Sequence, residues 1–466
     1  MTPDGTVNPD ASGRVGPPVD TVSLAPAVTV PPPGPRSREI AARLSRVDNP
    51  SFDERRAGRA VQSGEDQTQI VYARARGSNV FCADGNRYVD LVMGFGACIF
   101  GHAPPWLSDE LTRVQAELPL ALGDVYASEA KADCEEKLAA LYPEPGARVI
   151  LGLSGADAVT AALKTAVLAT GKSGVVAFHG GYHGLSYAPL AACGLAPGFR
   201  APFAEQLGAH VRFADYPDAA SVHPDVELAR ALTQADALAA GCDAGAIIVE
   251  PIQGRGGCIV PPAGLLRGLR EICDRRGALL IADEIWTGMG RSGALLASLA
   301  ETTPDLVCLG KGLGAGVPIS ACVGRESAMA GWGAHGGSTI HTATHFGSPP
   351  ACAAASLVID VLCKHRTCER ASSVGATFKA ALARTGLTVT GQGLMPGVRV
   401  KDAGHALAVC RRLLARGYIV LTGGLRGDVL TLTPALNAPE PLLLTAAEAL
   451  SQEAARGGGP RTPPGS

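Results

Sequence analysis

Two stretches decide the fold, ALLIADEIWT at residues 278–287 and DLVCLGKGLGAG at residues 305–316. Each contains a short apolar run of the length that a buried strand needs, and charged residues follow it. Asp283 and Glu284 close the first run, and Lys311 comes just after the second. If both runs are strands of a parallel sheet, their carboxyl ends lie at one edge, so that a carboxylate and a lysine face one crevice.

A carboxylate and a lysine in one crevice are the pair that pyridoxal phosphate chemistry needs. The lysine amine forms a Schiff base, and the carboxylate keeps the pyridine nitrogen protonated so that the ring acts as an electron sink. Glycines on both sides of Lys311 suit a backbone that bends tightly beside a cofactor. The alternative is a solvated loop lysine, although the adjoining apolar run argues against full exposure.

Other apolar runs alternate with helical stretches. We predict strands at 174–179 and 246–250 and a helix at 156–169, which indicates a mostly parallel sheet with helices on both faces. From about residue 357 the segments are shorter, with strands at 394–400 and 429–432, as is typical of a smaller α+β domain. Residues 79–91 read as a hairpin that turns at Asp84-Gly85.

The composition limits the classes of function. The 466 residues are 46% hydrophobic, enough for one large or two medium domains, and the net charge of −2 gives no basic excess for nucleic acid. No apolar run approaches the roughly 18 residues of a membrane span. The thirteen cysteines include no CxxC pair, and no signal peptide precedes them, so we expect reduced thiols and a cytoplasmic location.

Both ends of the chain differ from its middle. Residues 1–36 hold nine prolines and almost no large apolar side chain, which predicts a disordered arm, and residues 457–466 form a similar tail. A histidine cluster at His335, His341 and His345 fits no strong metal-binding pattern, so we predict no metal.

A phosphate site is indicated at Ser154-Gly155-Ala156. Ser154 can cap a helix with Asp157 completing the capping box, and the free N–H groups of a helix N-terminus bind phosphate. An ordinary capped helix is the alternative. Tyr182, in a glycine-rich segment, could lie flat on a planar ring, or it could be incidental to a turn. Neither the P-loop nor the dinucleotide fingerprint fits the glycines near Lys311.

Taken together, these segments resemble the class III aminotransferases, which are fold-type I pyridoxal-phosphate enzymes. The likeness covers about residues 70–440. The motifs that carry it are 84–90 (DGNRYVD), 101–102 (GH), 154–158 (SGADA), 182–184 (YHG), 250–254 (EPIQG), 283–288 (DEIWTG), 290–293 (GRSG) and 309–313 (LGKGL).

The resemblance implies an α/β fold with two domains. Residues 101–356 would form the large domain around a mostly parallel sheet. Residues 357–456 would form the small α+β domain, to which the N-terminal segment 37–100 contributes. The cofactor would be pyridoxal 5′-phosphate, and the active sites would be shared within a homodimer.

Residue roles follow from the resemblance in the same way. Lys311 would carry the Schiff base and shuttle the proton, and Asp283 would pair with the pyridinium nitrogen. The phosphate would be held by the N–H groups of Gly155 and Ala156 and by a threonine of the other subunit. The threonine of the other subunit would be Thr344. Tyr182 and Ile285 would pack on the two faces of the cofactor ring, and Glu250 would support the site from behind.

Three positions depart from the family pattern. Trp286 replaces a glutamine beside the cofactor's phenolic oxygen, which suggests an aromatic-walled pocket or simply core packing. Arg255 replaces a glutamate, and Thr431 replaces the arginine that pairs with that glutamate. Arg255 could grip a substrate carboxylate bidentately, or it could only make a surface ion pair. Recognition of 2-oxoglutarate is therefore in question.

The function implied is ping-pong transfer of an amino group from an amine or amino acid to a keto acid or aldehyde. An aminomutase, racemase or decarboxylase would use the same Lys311 and Asp283 with a different bond alignment. A non-catalytic scaffold is the alternative from another class, and it would have no chemical need of either residue.

Overall fold

The computed structural model describes residues 20, 22–121, 123–334, 337–384 and 386–456. Within these ranges the α-helices are α1 (Pro35–Leu44), α2 (Ser51–Ser63), α3 (Met93–Gly96), α4 (Pro105–Glu117), α5 (Glu129–Ala140), α6 (Gly155–Thr170), α7 (Tyr187–Ala191), α8 (Pro197–Arg200), α9 (Ala204–Leu207), α10 (Pro224–Gly241), α11 (Leu265–Arg276), α12 (Glu326–Met329), α13 (Pro349–Lys364), α14 (Thr367–Ala383), α15 (Ala403–Ala415) and α16 (Glu440–Ala455).

The strands are β1 (Tyr72–Arg76), β2 (Asn79–Cys82), β3 (Arg87–Asp90), β4 (Arg148–Gly152), β5 (Gly174–Phe178), β6 (Val211–Ala214), β7 (Ala244–Val249), β8 (Leu279–Asp283), β9 (Leu306–Leu309), β10 (Ser320–Gly324), β11 (Val389–Thr390), β12 (Gly397–Arg399), β13 (Tyr418–Ile419), β14 (Leu421–Gly423) and β15 (Val429–Thr431). Short 3₁₀ turns lie at Ala201–Phe203, Ser298–Ala300, Lys311–Gly314 and Ala330–Ala334.

The central element is a seven-stranded sheet with the order β4-β10-β9-β8-β7-β5-β6. The strands β9, β8, β7, β5 and β6 pair in parallel, whereas β10 is antiparallel to both of its neighbours. The parallel strands β5, β7 and β9 are apolar and buried throughout because helices cover both faces of the sheet. The predicted α/β fold with a mostly parallel sheet is thereby confirmed.

Two smaller sheets flank the large one. The predicted hairpin is β2 and β3, and Tyr418 of β13 pairs in parallel with Val89 of β3, so the N-terminal segment and the C-terminal part share one sheet. The other small sheet has the order β11-β12-β15-β14. The predicted strands at 394–400 and 429–432 appear as the shorter β12 and β15, since Pro396, which lacks a backbone donor, precedes the first.

The predicted disordered arm is wrong for residues 22–36. The Leu24 N–H donates to Asn79 Oδ1 at 2.7 Å, and the Thr29 and Val30 N–H groups donate to Asn86 Oδ1 at 2.9 and 3.0 Å. The side-chain amides of these two asparagines supply hydrogen-bond partners for the backbone of a proline-rich segment, because prolines lack the N–H groups that regular secondary structure needs. Residues 1–19 and 21 of the arm, and the tail at 457–466, lie outside the described residues.

The predicted boundary between residues 356 and 357 would fall inside α13. This helix runs unbroken from Pro349 to Lys364, because no glycine or proline interrupts its apolar face after the first turn. It packs against α4 and α5 and shares one core with the C-terminal helices. The division of the chain into a large and a small domain stays a prediction.

Arg291 ties the two parts of the chain together. Its fully buried guanidinium donates to the carbonyl of Leu394 at 2.9 Å and to that of Pro434. Burial lowers the pKa of Arg291 to about 9. None of the described helices is long and apolar enough to cross a lipid bilayer.

Candidate active site

Four neighbouring parallel strands deliver the site residues to one edge of the sheet. Lys311 follows β9, Asp283 ends β8, Glu250 follows β7, and the loop after β5 carries Tyr182. Asp283 lies opposite Cys308 in the register of β8 and β9. The predicted crevice at the carboxyl ends of the strands is the place where these side chains meet.

Lys311 begins a short turn with a φ of +42°, in the left-handed region that non-glycine residues rarely adopt. Its amine lies 4.8 Å from the centroid of the Trp286 ring, and no carboxylate of the described residues comes within 4 Å of it. Burial lowers the pKa of Lys311, an effect that Asp283 and Glu250 partly offset. A lowered pKa raises the neutral fraction of the amine, the form that attacks a carbonyl carbon.

Asp283 is fixed by two hydrogen bonds. The Ile285 N–H donates to its Oδ1 at 3.1 Å, and its Oδ2 lies 2.7 Å from Nδ1 of the buried His183. Burial alone would lower the pKa of His183, but the hydrogen bond and charge of Asp283 raise it. These two contacts fix the orientation of the Asp283 carboxylate at the edge of the sheet.

Glu250 supports two loops of the site. Its Oε1 accepts from the Tyr182 N–H at 2.8 Å, and its Oε2 accepts from the Gly254 N–H at 3.0 Å. Burial raises the pKa of Glu250 to about 7. One carboxylate therefore sets the positions of Tyr182 and of the segment that carries Arg255.

The start of α6 forms a narrow cradle. Ser154 caps the helix, with Asp157 completing the capping box as predicted. A Cβ on Gly155 would lie 2.7 Å from Cδ1 of Ile285, so only glycine fits there. The first turn of a helix leaves N–H groups without intrahelical partners, which suits a phosphate.

These features fit pyridoxal phosphate. The cradle at Gly155 meets the Ile285 side chain, and a Cβ on Gly310 would lie only 3.6 Å from the Gly155 Cα. The start of α6 therefore lies against the backbone at Gly310, the residue before Lys311, and against Ile285, whose N–H binds Asp283. Nε2 of His183 is buried without a described partner, which leaves the far side of that ring uncommitted.

Trp286 is both buried and part of the pocket wall. It is 6% exposed, its ring meets Phe95 edge-to-face at 6.3 Å, and it covers the Lys311 amine. A Cβ on Gly254 would lie 2.1 Å from its Cε3 atom, so the ring occupies the space beside that loop. The sequence suggested either a pocket wall or core packing for Trp286, and in the structure its side chain does both.

Arg255 faces the same pocket. Its guanidinium carbon lies 4.7 Å from the Tyr182 ring centroid and 5.9 Å from that of Phe95. The alternative from sequence was that Arg255 makes only a surface ion pair. No carboxylate of the described residues lies within 4 Å of its guanidinium group. The hydroxyl of Thr431 donates to the Leu421 carbonyl at 3.3 Å, so this side chain serves the small sheet.

Other candidates lie away from the pocket. Thr344 is exposed in the single chain. Glu284 turns into the protein, where its carboxylate accepts from the Ser298 N–H at 2.6 Å and from the Thr287 hydroxyl. His335 lies outside the described residues, and no group of three potential metal ligands occurs within them.

His183 is the functional residue that sequence reasoning missed. The segment 182–184 was recognised as a motif, yet its histidine received no role. Its partner Asp283 is 100 residues away, so no local pattern could join the two. The available signal was that β5 and β8 both end at the predicted crevice.

The fold and this arrangement define a transferase site of the pyridoxal-phosphate kind. The family described as "Aminotransferase class-III" matches residues 60–453. The chain belongs to this family, and it is a pyridoxal-phosphate-dependent aminotransferase.

Known proteins that are similar to this chain are named as aminotransferases or transaminases. The acetylornithine aminotransferase of Methanopyrus kandleri is 36% identical over 339 residues, covering 72% of this chain and 81% of that protein. The 4-aminobutyrate aminotransferase of Mycobacterium bovis is 32% identical over 438 residues, covering 88% and 96%. An amine transaminase from an uncultivated Pseudomonas species, solved with pyridoxal phosphate bound, superposes with a TM-score of 0.76 at 29% identity, covering 83% and 96%.

Proposed function

We propose that Lys311 carries the cofactor and moves the proton in a ping-pong transfer of an amino group from an amine or amino acid to a keto acid or aldehyde. The observation that carries this proposal is the meeting of Lys311 with the Asp283–His183 pair at the edge of the parallel sheet. Asp283 is electrostatically close enough to Lys311 to raise its pKa against the effect of burial.

Each residue has a physical task in this reaction. When bound, pyridoxal phosphate supplies an exchangeable carbonyl group and an electron sink for the substrate carbon. Lys311, as a neutral amine, would hold the cofactor and would later take and return the proton of that carbon. Asp283 would stabilise the positive charge of the ring nitrogen, and His183 keeps the carboxylate oriented.

The pocket walls orient the bound molecules. Tyr182 and Ile285 would lie against the two faces of the cofactor ring, and the N–H groups of Gly155 and Ala156 would hold its phosphate. Trp286 covers the Lys311 amine and excludes water from it. Arg255 receives a carboxylate of the substrate.

We also propose a cytoplasmic homodimer with shared active sites. Val125 and Tyr126 are 67% and 75% exposed, and large exposed apolar side chains mark interaction surfaces. They adjoin Asp124, whose carboxylate accepts from the Thr342 hydroxyl at 2.9 Å. Thr344, two residues further on, is also exposed, and from this surface it would bind the phosphate in the other subunit. Sedimentation of a single monomeric species at micromolar concentration would refute this part.

The experiment is a half-reaction without acceptor. Protein loaded with pyridoxal phosphate is mixed with 4-aminobutyrate, N2-acetylornithine or an uncharged primary amine, and the aminated cofactor is quantified by chromatography. We expect at least one donor to convert the cofactor stoichiometrically, and a keto acid or aldehyde to restore it. A donor that loses CO2 or is returned racemised or isomerised, with the cofactor unchanged, would instead indicate a decarboxylase, racemase or aminomutase.

A further inference from the structure

The short element α3 is wound in the left-handed sense. Its φ angles are +46° at Met93, +59° at Gly94, +58° at Phe95 and +81° at Gly96. Successive left-handed positions are rare because the Cβ atom of an L-residue crowds the backbone there, and Met93 and Phe95 both carry one. Such strain persists only where surrounding groups fix the backbone, and it is common beside ligand sites.

This turn places Phe95 at the substrate pocket. Phe95 is 41% exposed, and its ring meets the Trp286 ring edge-to-face at 6.3 Å. A Cβ on Gly96 would lie only 3.2 Å from Nε1 of Trp286, so the turn packs directly on the indole that covers the Lys311 amine. The guanidinium carbon of Arg255 lies 5.9 Å from the Phe95 ring centroid. Phe95 is thus an exposed apolar wall of the pocket that Trp286 and Arg255 also line.

Asp90, the last residue of β3, binds the start of the turn. Its Oδ1 accepts hydrogen bonds from the Val92 N–H at 2.8 Å and from the Met93 N–H at 3.0 Å. Its Oδ2 lies 2.9 Å from Nε2 of His102, and Asp90 is buried. One carboxylate therefore determines how the chain leaves the strand and enters the left-handed turn.

His102 holds the other oxygen of that carboxylate in place. Its backbone exchanges two hydrogen bonds with Gly77, at 2.8 and 2.9 Å, which keeps the imidazole beside Asp90. Burial alone would lower the pKa of His102, but the hydrogen bond and charge of Asp90, with a contribution from Cys98, raise it to about 9. The imidazole is therefore protonated at neutral pH, and a charge-assisted hydrogen bond of this kind is stronger than a neutral one.

We propose that Asp90 and His102 are a positioning pair for substrate binding: they hold the left-handed turn that places the Phe95 ring in the pocket, where it packs on an aromatic or other flat apolar part of the substrate. A substrate ring beside Phe95 gains an aromatic contact in addition to buried area. The pair acts through Phe95 and not on the reacting atoms. This inference rests on the proposed function, since Lys311 and Arg255 define the pocket as that of the substrate.

The test compares two unreactive acids, phenylacetate and acetate, whose binding to the pyridoxal-phosphate-loaded protein is measured by calorimetry. They share a carboxylate and differ by a phenyl ring. We expect phenylacetate to bind at least about tenfold tighter than acetate. Phe95→Ala and His102→Leu should each reduce this preference about fivefold, the loss of one aromatic contact. The control is His223→Leu, at an exposed histidine, which should keep the preference.

A double variant separates positioning from a general effect on the fold. If His102 acts through Phe95, adding His102→Leu to Phe95→Ala should not lower the preference further, whereas two independent roles would multiply their effects. Tryptophan fluorescence is the second measurement, because Phe95 packs on Trp286. We expect a shifted emission in His102→Leu, absent in His223→Leu and lost when Trp286→Phe is added.

Three results would overturn the inference: equal binding of phenylacetate and acetate, an unchanged preference in His102→Leu, or multiplied effects in the double variant. If His102→Leu does not fold, Asp90→Asn replaces it, because an amide lacks the charge that binds His102. The preference should fall in this variant also, and an unchanged preference would again contradict the proposal.

The outcome is separable from that of the proposed function, because neither acid carries an amine or a carbonyl group that could react at Lys311. A phenylacetate preference that depends on His102, in a protein whose cofactor no donor aminates, would support the positioning pair and refute transamination. Amination of the cofactor together with equal binding of the two acids would do the opposite.

Discussion

Asp283 and Glu250 accept hydrogen bonds from within the chain, whereas Arg255 has no described carboxylate partner. We call the first region, Asp283 with His183 and Glu250, the cofactor floor, and the second, Arg255 with the ring of Tyr182, the arginine wall. A buried charge without a partner costs folding free energy, so a floor whose buried groups are paired within the chain can be rigid. The half-buried Arg255 is free to pair with a ligand. On the proposed function, the comparison separates the part of the site that would hold the cofactor from the part that would select the substrate.

Removing the Lys311 amine, which lies next to the cofactor floor, should have the largest effect. Lys311→Ala is expected to lower the rate of amino-group transfer by at least about 10³-fold, because nucleophile and proton carrier are lost together. Steady-state rates with saturating cofactor measure this loss. Lys364→Ala, at an exposed lysine, is the control, and multiple turnovers at a near-normal rate in the Lys311 variant would disprove the assignment.

Removing the charge of the floor comes next. Asp283→Asn should reduce kcat by about 10²–10³-fold, because the ring nitrogen loses the preorganised negative charge that stabilises it. Asp274→Asn makes the same change at an exposed carboxylate and should leave kcat unaltered. A wild-type kcat for Asp283→Asn would show that another group holds the ring nitrogen.

Disturbing the support of Asp283 should cost less. His183→Gln is expected to reduce kcat about 10–100-fold with a smaller change in KM, as substitutions of orienting partners commonly do. The matched control is His179→Gln, because that imidazole is stacked on Phe213 outside the floor. Equal effects of the two substitutions would mean that the 2.7 Å contact with Asp283 has no positioning role.

On the arginine wall, Arg255→Ala should act on binding. We expect KM for a carboxylate-bearing donor to rise about tenfold more than KM for an uncharged amine, since a bidentate charged hydrogen bond is lost only with the former. Parallel kinetics with both donors measure the difference. A uniform rise for both would indicate that Arg255 shapes the pocket without recognising the anion.

The smallest expected effect concerns Glu250 and stability. Between pH 4.5 and about 7 the folded state keeps a proton that the unfolded state has lost, so the free energy of unfolding falls as pH rises through this window. Glu250→Gln should abolish this pH dependence, which amounts to roughly 3 kcal/mol over the whole window. Urea unfolding at several pH values tests this, with the exposed Glu448→Gln as control, and an unchanged slope would contradict it.

Asp283, Lys311 and Gly155 were predictable because their signals are local. Apolar runs ending in Asp283 and Lys311, and the capping residues around Gly155, are visible in short windows of sequence. The contact of His183 with Asp283 was not predictable, since it joins residues 100 positions apart. Strand β10, whose residues are Ser-Ala-Cys-Val-Gly, lacks a strong apolar pattern, and its antiparallel pairing depends on its neighbours.

The arm at residues 22–36 also depends on contacts with residues that are distant in sequence. Its composition is that of a disordered segment, yet the side-chain amides of Asn79 and Asn86 supply its hydrogen bonds. Composition reports only what a segment can bury by itself. The order comes from partners that are more than 50 residues away in the chain.

The most direct test of the central claim is to fix the cofactor in place and read its position. Protein loaded with pyridoxal phosphate is reduced with borohydride, digested and sequenced by mass spectrometry. The account predicts the cofactor's mass on the peptide that contains Lys311, and its loss when an amine donor is added before reduction. Cofactor found on another lysine, or on none, would contradict the assignment of Lys311 and with it the roles derived for the cofactor floor.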